Sequence, residues 1–243
     1  KYEFNQGALT RKSWFDCSCC PTNVVRFIPA MPGLIYSKTD RDIYVNLYAS
    51  NYATVDLPNN EVQITQKTNY PWSGHVEIDV KASQADNFNL KMRIPGWANN
   101  EVLPGGLYDY VNNVSDKVEV YIDGQKEVIN SLDGYVTLSS EKVNGKTIEL
   151  KFPMEVRKVK TSDKVVENRG KIALVYAVEE IDNKKNYDEI TIPSNDDFKV
   201  QMEPNLLGGV NTIQDANFKA IPYYAWSNRG VGKMKVWINS SLK

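Results

Sequence analysis

The sequence is short of histidine, the residue enzymes most often use to move protons. Its 243 residues hold one histidine, His75, which excludes most serine–histidine–aspartate and cysteine–histidine catalysis and any histidine-rich metal site. Cysteine is nearly as scarce, and all three, Cys17, Cys19 and Cys20, fall inside four positions. A disulfide framework scatters its cysteines along a chain, and neighbours pair only under strain, so stapling is not their purpose. Excess charge is absent as well. With 29 Lys and Arg against 30 Asp and Glu the net charge is −1, whereas a nucleic-acid binder needs a basic surface to neutralise phosphates. No apolar run approaches the ~20 residues of a transmembrane helix, and no charged-then-apolar leader opens the chain.

What the sequence does have favours strands. Fourteen Tyr, seven Phe and five Trp, with many Val, Ile and Thr, suit pleated, half-buried surfaces, and 14 Gly with 11 Pro supply turns. From Leu34 onward the hydrophobic period is two. It runs through Ile43–Leu47, Val62–Thr65, Val76–Val80, Phe88–Ile94, Val118–Ile122 and Thr147–Phe152. Such alternation puts one face on a core and the other in water, as in antiparallel sheets. Asp123-Gly124, Asp133-Gly134 and Asn144-Gly145 lie between these runs, where tight hairpins need positive φ. The predicted class is all-β, antiparallel sandwich or jelly-roll domains preceded by a short helix.

Three segments follow. Residues 1–33 carry the cysteines and a helix of about two turns from Val24, capped by Asn23 and stopped by Pro29 and Pro32-Gly33. A helix that short does not stand alone and must pack on something. Residues 34–156 form a β-sandwich. After Phe152-Pro153 the texture turns charged over Arg157–Asn168, then strands resume at Lys171–Tyr176, and residues 157–243 form a second, smaller β unit.

Three thiols this close, followed by Pro21, suit a metal or nucleophile site, because the thiolate is both the ligand and the nucleophile. Zinc takes four ligands, of which neighbouring cysteines supply two, and nothing else in the segment completes a tetrahedron. Buried, inert thiols are the equally weighted alternative.

The run Trp14-Phe-Asp-Cys-Ser-Cys-Cys-Pro-Thr-Asn23 with Arg26 resembles the W-F-x-C-x-C-C-P-P-N-x-x-R signature of glycoside hydrolase family 127, the β-L-arabinofuranosidases and their relatives. The likeness continues in order through Ile43–Tyr48, Thr68–Trp72, Leu90–Trp97, Asn168–Leu174, Leu206–Val210 and Ile221–Gly230. It implies a chain that lacks its front: the family builds an N-terminal (α/α)₆ barrel holding the active site, followed by β-sandwich domains. By that resemblance Cys19 is the nucleophile and also touches a zinc ion, and Cys20 is a zinc ligand. The other ligands, a Glu and a Cys in an E-x-C element, and the acid/base Glu come from upstream. No E-x-C occurs in these 243 residues, and Thr22 replaces the second proline of the signature. The resemblance therefore implies a zinc enzyme acting on L-arabinofuranosides or related oligosaccharides, a partner barrel in cis, and an isolated chain that holds no zinc and is inactive.

Other candidates have plainer readings. Trp72, Trp97, Tyr223, Tyr224 and Trp226 are a possible sugar-stacking platform, but packing within cores and between domains is the commoner role of such residues. Arg26 either anchors a carboxylate, orients the cysteine loop or lies idle on a helix surface. Asn195-Asp-Asp197 suits a solvated loop better than a calcium site. The substrate-binding residues are not legible. The competing function is a non-catalytic accessory or carbohydrate-binding module, which has no need of three adjacent thiols. Unpaired thiols suit a reducing cytoplasm and a zinc-bound pair survives in a periplasm, so the compartment stays open, with the periplasm or secretion ranked ahead of the cytoplasm.

Overall fold

A computed structural model describes residues 18–84, 88–113, 117–175, 190–192, 198–214, 219–225, 228 and 235–241. The chain divides into two units. Among the described residues, one comprises Cys17–Asn99 and Val114–Met154 and the other comprises Asn100–Asn113 and Glu155–Lys243.

The first unit begins with two helices, α1 (Cys19–Ala30) and α2 (Pro32–Ile35), and continues as strands β1 (Tyr36–Lys38), β2 (Asp42–Val45), β3 (Asn51–Leu57), β4 (Asn60–Thr68), β5 (His75–Ala82) and β6 (Asn89–Arg93). Strand β7 (Tyr108–Tyr110) belongs to the second unit. The first then resumes with β8 (Glu119–Ile122), β9 (Gln125–Glu127), β10 (Ser131–Leu132), β11 (Tyr135–Ser139), α3 (Ser140–Val143) and β12 (Lys146–Lys151). Two sheets result, ordered β1-β2-β6-β11-β10 and β3-β4-β5-β12-β8-β9. Every pair is antiparallel except β2 with β6, where Ile43 lies beside Leu90 and Val45 beside Met92.

Alternation explains the layering. Val62, Ile64, Val76, Ile78, Val120, Ile148 and Leu150 come from one sheet and Ile43, Val45, Leu90, Met92 and Val136 from the other, and all meet in a single core. Each such side chain, fully withdrawn from water, contributes roughly 1.5–3 kcal/mol. The expected sandwich is thus present, and the expected hairpins partly so. Asp123-Gly124 joins β8 to β9 and Asp133-Gly134 joins β10 to β11, all four residues at positive φ, as a type I′ turn demands. Asn144-Gly145 is different. It leaves α3 and enters β12, with Asn144 accepting the Ala82 N–H at 2.8 Å, so it is a helix exit rather than a hairpin.

In the second unit β13 (Arg157–Thr161), β14 (Lys171–Val175), β15 (Thr191–Ile192) and β19 (Ile238–Ser240) join β7 in the order β15-β19-β14-β13-β7. Strands β16 (Lys199–Glu203), β17 (Val210–Gln214) and β18 (Lys219–Ala220) form a small antiparallel sheet. Ile172, Leu174, Ile192 and Ile238 of the larger sheet share a core with Ile213 and Ala220 of the smaller one.

The charged stretch after Pro153 therefore opens with a strand, which its residue types conceal. Arg157 sits at an inward position, 6 % exposed. Its guanidinium stacks 3.1 Å from the Tyr110 ring centroid and donates to Asn100 Oδ1 at 2.7 Å and to the Asn112 carbonyl at 3.2 Å. Burial pulls its pKa below the usual value, which makes those contacts the compensation for a buried charge. Replacing Arg157 with Met should cost the second unit about 2–4 kcal/mol in urea unfolding, since two acceptors lose their donor. Lys should not restore it, lacking a planar fork that stacks and donates at once. A loss within ~0.5 kcal/mol, the range of ordinary surface changes, would mean that this guanidinium does not hold β7 against β13.

Candidate active site

The cysteine segment is anchored to the first unit at the far end of its helices. The Ile35 carbonyl accepts the backbone N–H groups of Asn46 and Leu47. Tyr36 donates its hydroxyl to Asn51 Oδ1 at 3.0 Å, and the buried Gln66 amide donates to the Tyr36 hydroxyl at 2.8 Å. These bonds tie the start of β1 to β3 and β4 and so fix where α2 ends.

Helix α1 starts five residues earlier than its apolar run suggests. Ser18 is the N-cap residue and Cys19 and Cys20 occupy the first two helical positions, ahead of Pro21. Proline is tolerated there because first-turn N–H groups have no intrahelical acceptor. Asn23 is not a cap; its side chain reaches back one turn and donates to the Cys19 carbonyl at 3.0 Å. Nor does Pro29 stop the helix, which carries it in its last turn and ends at Ala30.

Cys19 and Cys20 are both exposed and not disulfide-bonded. Their sulfurs lie 3.8 Å apart. Two thiolates each ~2.3 Å from one tetrahedral zinc are separated by about 3.8 Å, so this donor pair fits one edge of such a site. Among the described residues no group of three or more His, Cys, Asp or Glu gathers as a metal site, and Cys17 lies outside them. His75 is engaged elsewhere. It opens β5, and its Nε2 lies 3.1 Å from Glu149 Oε2 on the neighbouring strand.

Three further side chains brace the cysteine turn. Thr22 Oγ1 donates to the Ser18 carbonyl at 2.7 Å and reaches the Cys19 carbonyl at 3.1 Å. Arg26 donates to Asn23 Oδ1 at 2.8 Å. Of the three sequence readings of Arg26, these contacts favour the one that orients the cysteine loop. Thr22 and Asn23 were not legible as functional, although a polar residue three or four positions after a cysteine on a helix is in reach of its carbonyl.

The helix around the thiols is uncovered. Val24, Val25, Phe27, Ile28, Met31 and Leu34 are 42–70 % exposed, and no residue of α1 is buried. Val24, Phe27, Ile28 and Met31 recur at helical spacing, an apolar stripe of the kind that covers or is covered by another element. Trp97 packs against Phe152 at 5.8 Å beside the first core. Trp72 is 40 % exposed, and Tyr223 and Tyr224 are exposed in the second unit. Trp226 and Asn195-Asp-Asp197 lie outside the described residues. A shallow polar groove of about 350 Å³ lies by Ser50, Lys67, Asn69, Ser73 and His75, with Lys67 bridging Glu77 and Asp79. No described helix is long and apolar enough to cross a membrane.

Two strand-built units follow a helix that carries a pair of exposed thiols, and family models match both units. Residues 42–154 match the β-L-arabinofuranosidase GH127 middle domain, and residues 156–239 match the glycoside hydrolase family 127 C-terminal domain. The chain belongs to glycoside hydrolase family 127. It is 27 % identical over 266 residues to a non-reducing end β-L-arabinofuranosidase of Bifidobacterium longum subsp. longum, a match covering 93 % of this chain and 38 % of that protein. Among solved structures, a GH127 β-arabinofuranosidase is 35 % identical with a TM-score of 0.84, covering 95 % of this chain and 40 % of its own. A GH127 β-L-arabinofuranosidase from Geobacillus stearothermophilus T6 is 33 % identical with a TM-score of 0.80, covering 95 % and 39 %. The chain thus spans about two fifths of the length of the relatives it matches.

Proposed function

We propose that this chain is the C-terminal portion of a retaining glycoside hydrolase that cleaves β-L-arabinofuranosides, with Cys19 as nucleophile and a zinc ion held by Cys19 and Cys20. The observation that carries it is the exposed thiol pair, 3.8 Å apart at the head of a helix, in a chain of this family. A pure binding module leaves that pair unexplained.

The chemistry follows from two displacements. Cys19 Sγ attacks the anomeric carbon and forms a C–S bond as the C–O bond to the leaving group breaks, and the departing oxygen takes a proton from an acid. Water then attacks the same carbon, giving its proton to the conjugate base, and the thiolate departs. Zinc, when bound, supplies a positive charge that holds the sulfur ionised at neutral pH. The family resemblance puts the acid, a glutamate, and the remaining zinc ligands in an upstream barrel. The apolar stripe of α1, uncovered here, suits that barrel as its cover. Loss of a general acid alone costs ~10²–10⁴ in rate, so the chain by itself is inactive.

The test measures zinc content and hydrolysis of 4-nitrophenyl β-L-arabinofuranoside for this chain and for the protein extended upstream. Zinc and turnover in the extended form alone are the expected result. Turnover by the 243-residue chain would overturn the division of the site between two parts. An extended protein that neither binds zinc nor cleaves the substrate would leave the accessory-module reading as the better account.

A further inference from the structure

The turn that carries both cysteines has no side-chain cap: Ser18 stands at the N-cap without its hydroxyl oxygen accepting a helix N–H. Without that bond the first turn of a helix frays. Here it is held from its carbonyl side instead. The Cys19 carbonyl accepts from the Asn23 amide at 3.0 Å, and Arg26 grips the other end of the Asn23 side chain at 2.8 Å.

We propose that Asn23 and Arg26 are positioning residues that set the direction of the Cys19 and Cys20 side chains; the inference rests on reading Cys19 as the nucleophile. Hydrogen-bond chemistry permits one arrangement. A guanidinium only donates, so the Asn23 amide oxygen must face Arg26. That leaves the amide NH₂ facing Cys19, whose carbonyl only accepts. Arg26 thereby fixes which end of the amide reaches the cysteine turn. The accepting carbonyl belongs to the peptide plane that joins Cys19 to Cys20, so holding its oxygen limits rotation of that plane. The two Cα–Cβ directions are set together, and rotation about each Cα–Cβ bond then places the sulfurs, 3.8 Å apart here. Neither residue touches the reacting atoms on this account; both act through the Cys19 carbonyl.

The relay makes unequal demands on its members. Asn23→Asp keeps an acceptor for Arg26 but removes the donor to Cys19, so it should behave like Asn23→Ala. Arg26→Lys still offers one donor to the amide oxygen and should recover most of what Arg26→Met loses. In the upstream-extended protein, Asn23→Ala and Arg26→Met should lower kcat ~10–100-fold, the usual cost of removing a group that orients a ligand. KM should stay within about twofold, because no substrate contact is lost. The double variant should be no slower than Asn23→Ala, since both changes cut one chain.

A second readout needs neither metal nor turnover. Limiting iodoacetamide on the metal-free extended protein, mapped by peptide mass, gives the ratio of Cys19 to Cys20 labelling. It should shift by about threefold or more in Asn23→Ala and Arg26→Met and stay near the parent value in Arg26→Lys. An unchanged ratio in Asn23→Ala, or additive losses in the double variant, would overturn the relay. Full turnover in Cys19→Ala would instead sink the nucleophile reading, while the labelling ratio still reports on the relay.

Discussion

Gly74→Ala should destabilise the first unit by about 3 kcal/mol or more and lower its thermal midpoint by roughly 10 °C. Gly74 directly precedes β5, and Phe152 directly follows β12, its neighbour in the sheet. The Phe152 N–H donates to the Gly74 carbonyl at 2.9 Å, so the two backbones run in contact beyond the ladder. A Cβ at Gly74 would stand 2.2 Å from the Phe152 carbonyl oxygen and 2.8 Å from Met154 Cγ. The methionine could move aside; the carbonyl cannot without shifting the strand. Phe152 is also poorly placed to give way, being 5 % exposed and packed against Tyr48 at 5.4 Å, Tyr70 at 6.2 Å and Trp97 at 5.8 Å. The control is Gly33→Ala in α2, where nothing lies within 4 Å of the added carbon. That change should be neutral or slightly stabilising, because alanine narrows the unfolded ensemble and suits a helix. Equal thermal midpoints for the two variants would mean that β5 and β12 do not approach as described.

What was legible in the sequence divides along physical lines. Strands β2, β4, β5, β6, β8 and β12 were readable because each alternates apolar with polar residues, the local consequence of one buried face. Strand β3 was not, although it is seven residues long. Its inward positions include Asn51 and Ala53, while outward Tyr52 is 63 % exposed, so the pattern of sizes runs against the pattern of burial. Strand β13 hid for a related reason: its inward Arg157 is buried on the strength of Tyr110, Asn100 and Asn112, residues some fifty positions away. Nothing local announces such partners. The same holds for the parallel pairing of β2 with β6 and for the assignment of β7, three residues long, to the second unit rather than to the sheets that flank it in sequence.

The candidate site shows the same division at smaller scale. Residue type alone marked the cysteines, since three thiols in four positions have few structural uses. The helix start was misjudged because Asn23 has the side chain of a cap, and caps are chosen by residue type when the backbone is not visible. Its true role depends on the carbonyl four residues back, a relation set by the helix itself. The need of α1 for a partner was legible from the shortness of its apolar run, whereas the exposed stripe that run forms was not.

The largest functional effect should come from Cys19. On the proposed reading of Cys19 as nucleophile, Cys19→Ala in the upstream-extended protein is expected to lower kcat by ~10⁴-fold or more, because the covalent route then loses its attacking group. Cys19→Ser should rescue little, since a hydroxyl is scarcely ionised at neutral pH. Cys20→Ala serves as the comparison. The two thiols are equivalent by exposure and adjacent on the same turn, so the local geometry does not choose between them; the family resemblance does. If Cys20 only ligates the metal, its loss should weaken zinc binding first and turnover in proportion to the zinc lost, and excess zinc should restore part of the rate. No amount of zinc should restore Cys19→Ala. Stereochemistry then separates a missing nucleophile from a damaged site. With 4-nitrophenyl β-L-arabinofuranoside, whose leaving group needs little protonation, azide entering the space left by the Cys19 sulfur makes a single displacement and yields the α-azide, the inverted product. A β-azide would require two displacements and hence a nucleophile still in place, which would move the role from Cys19 to another side chain.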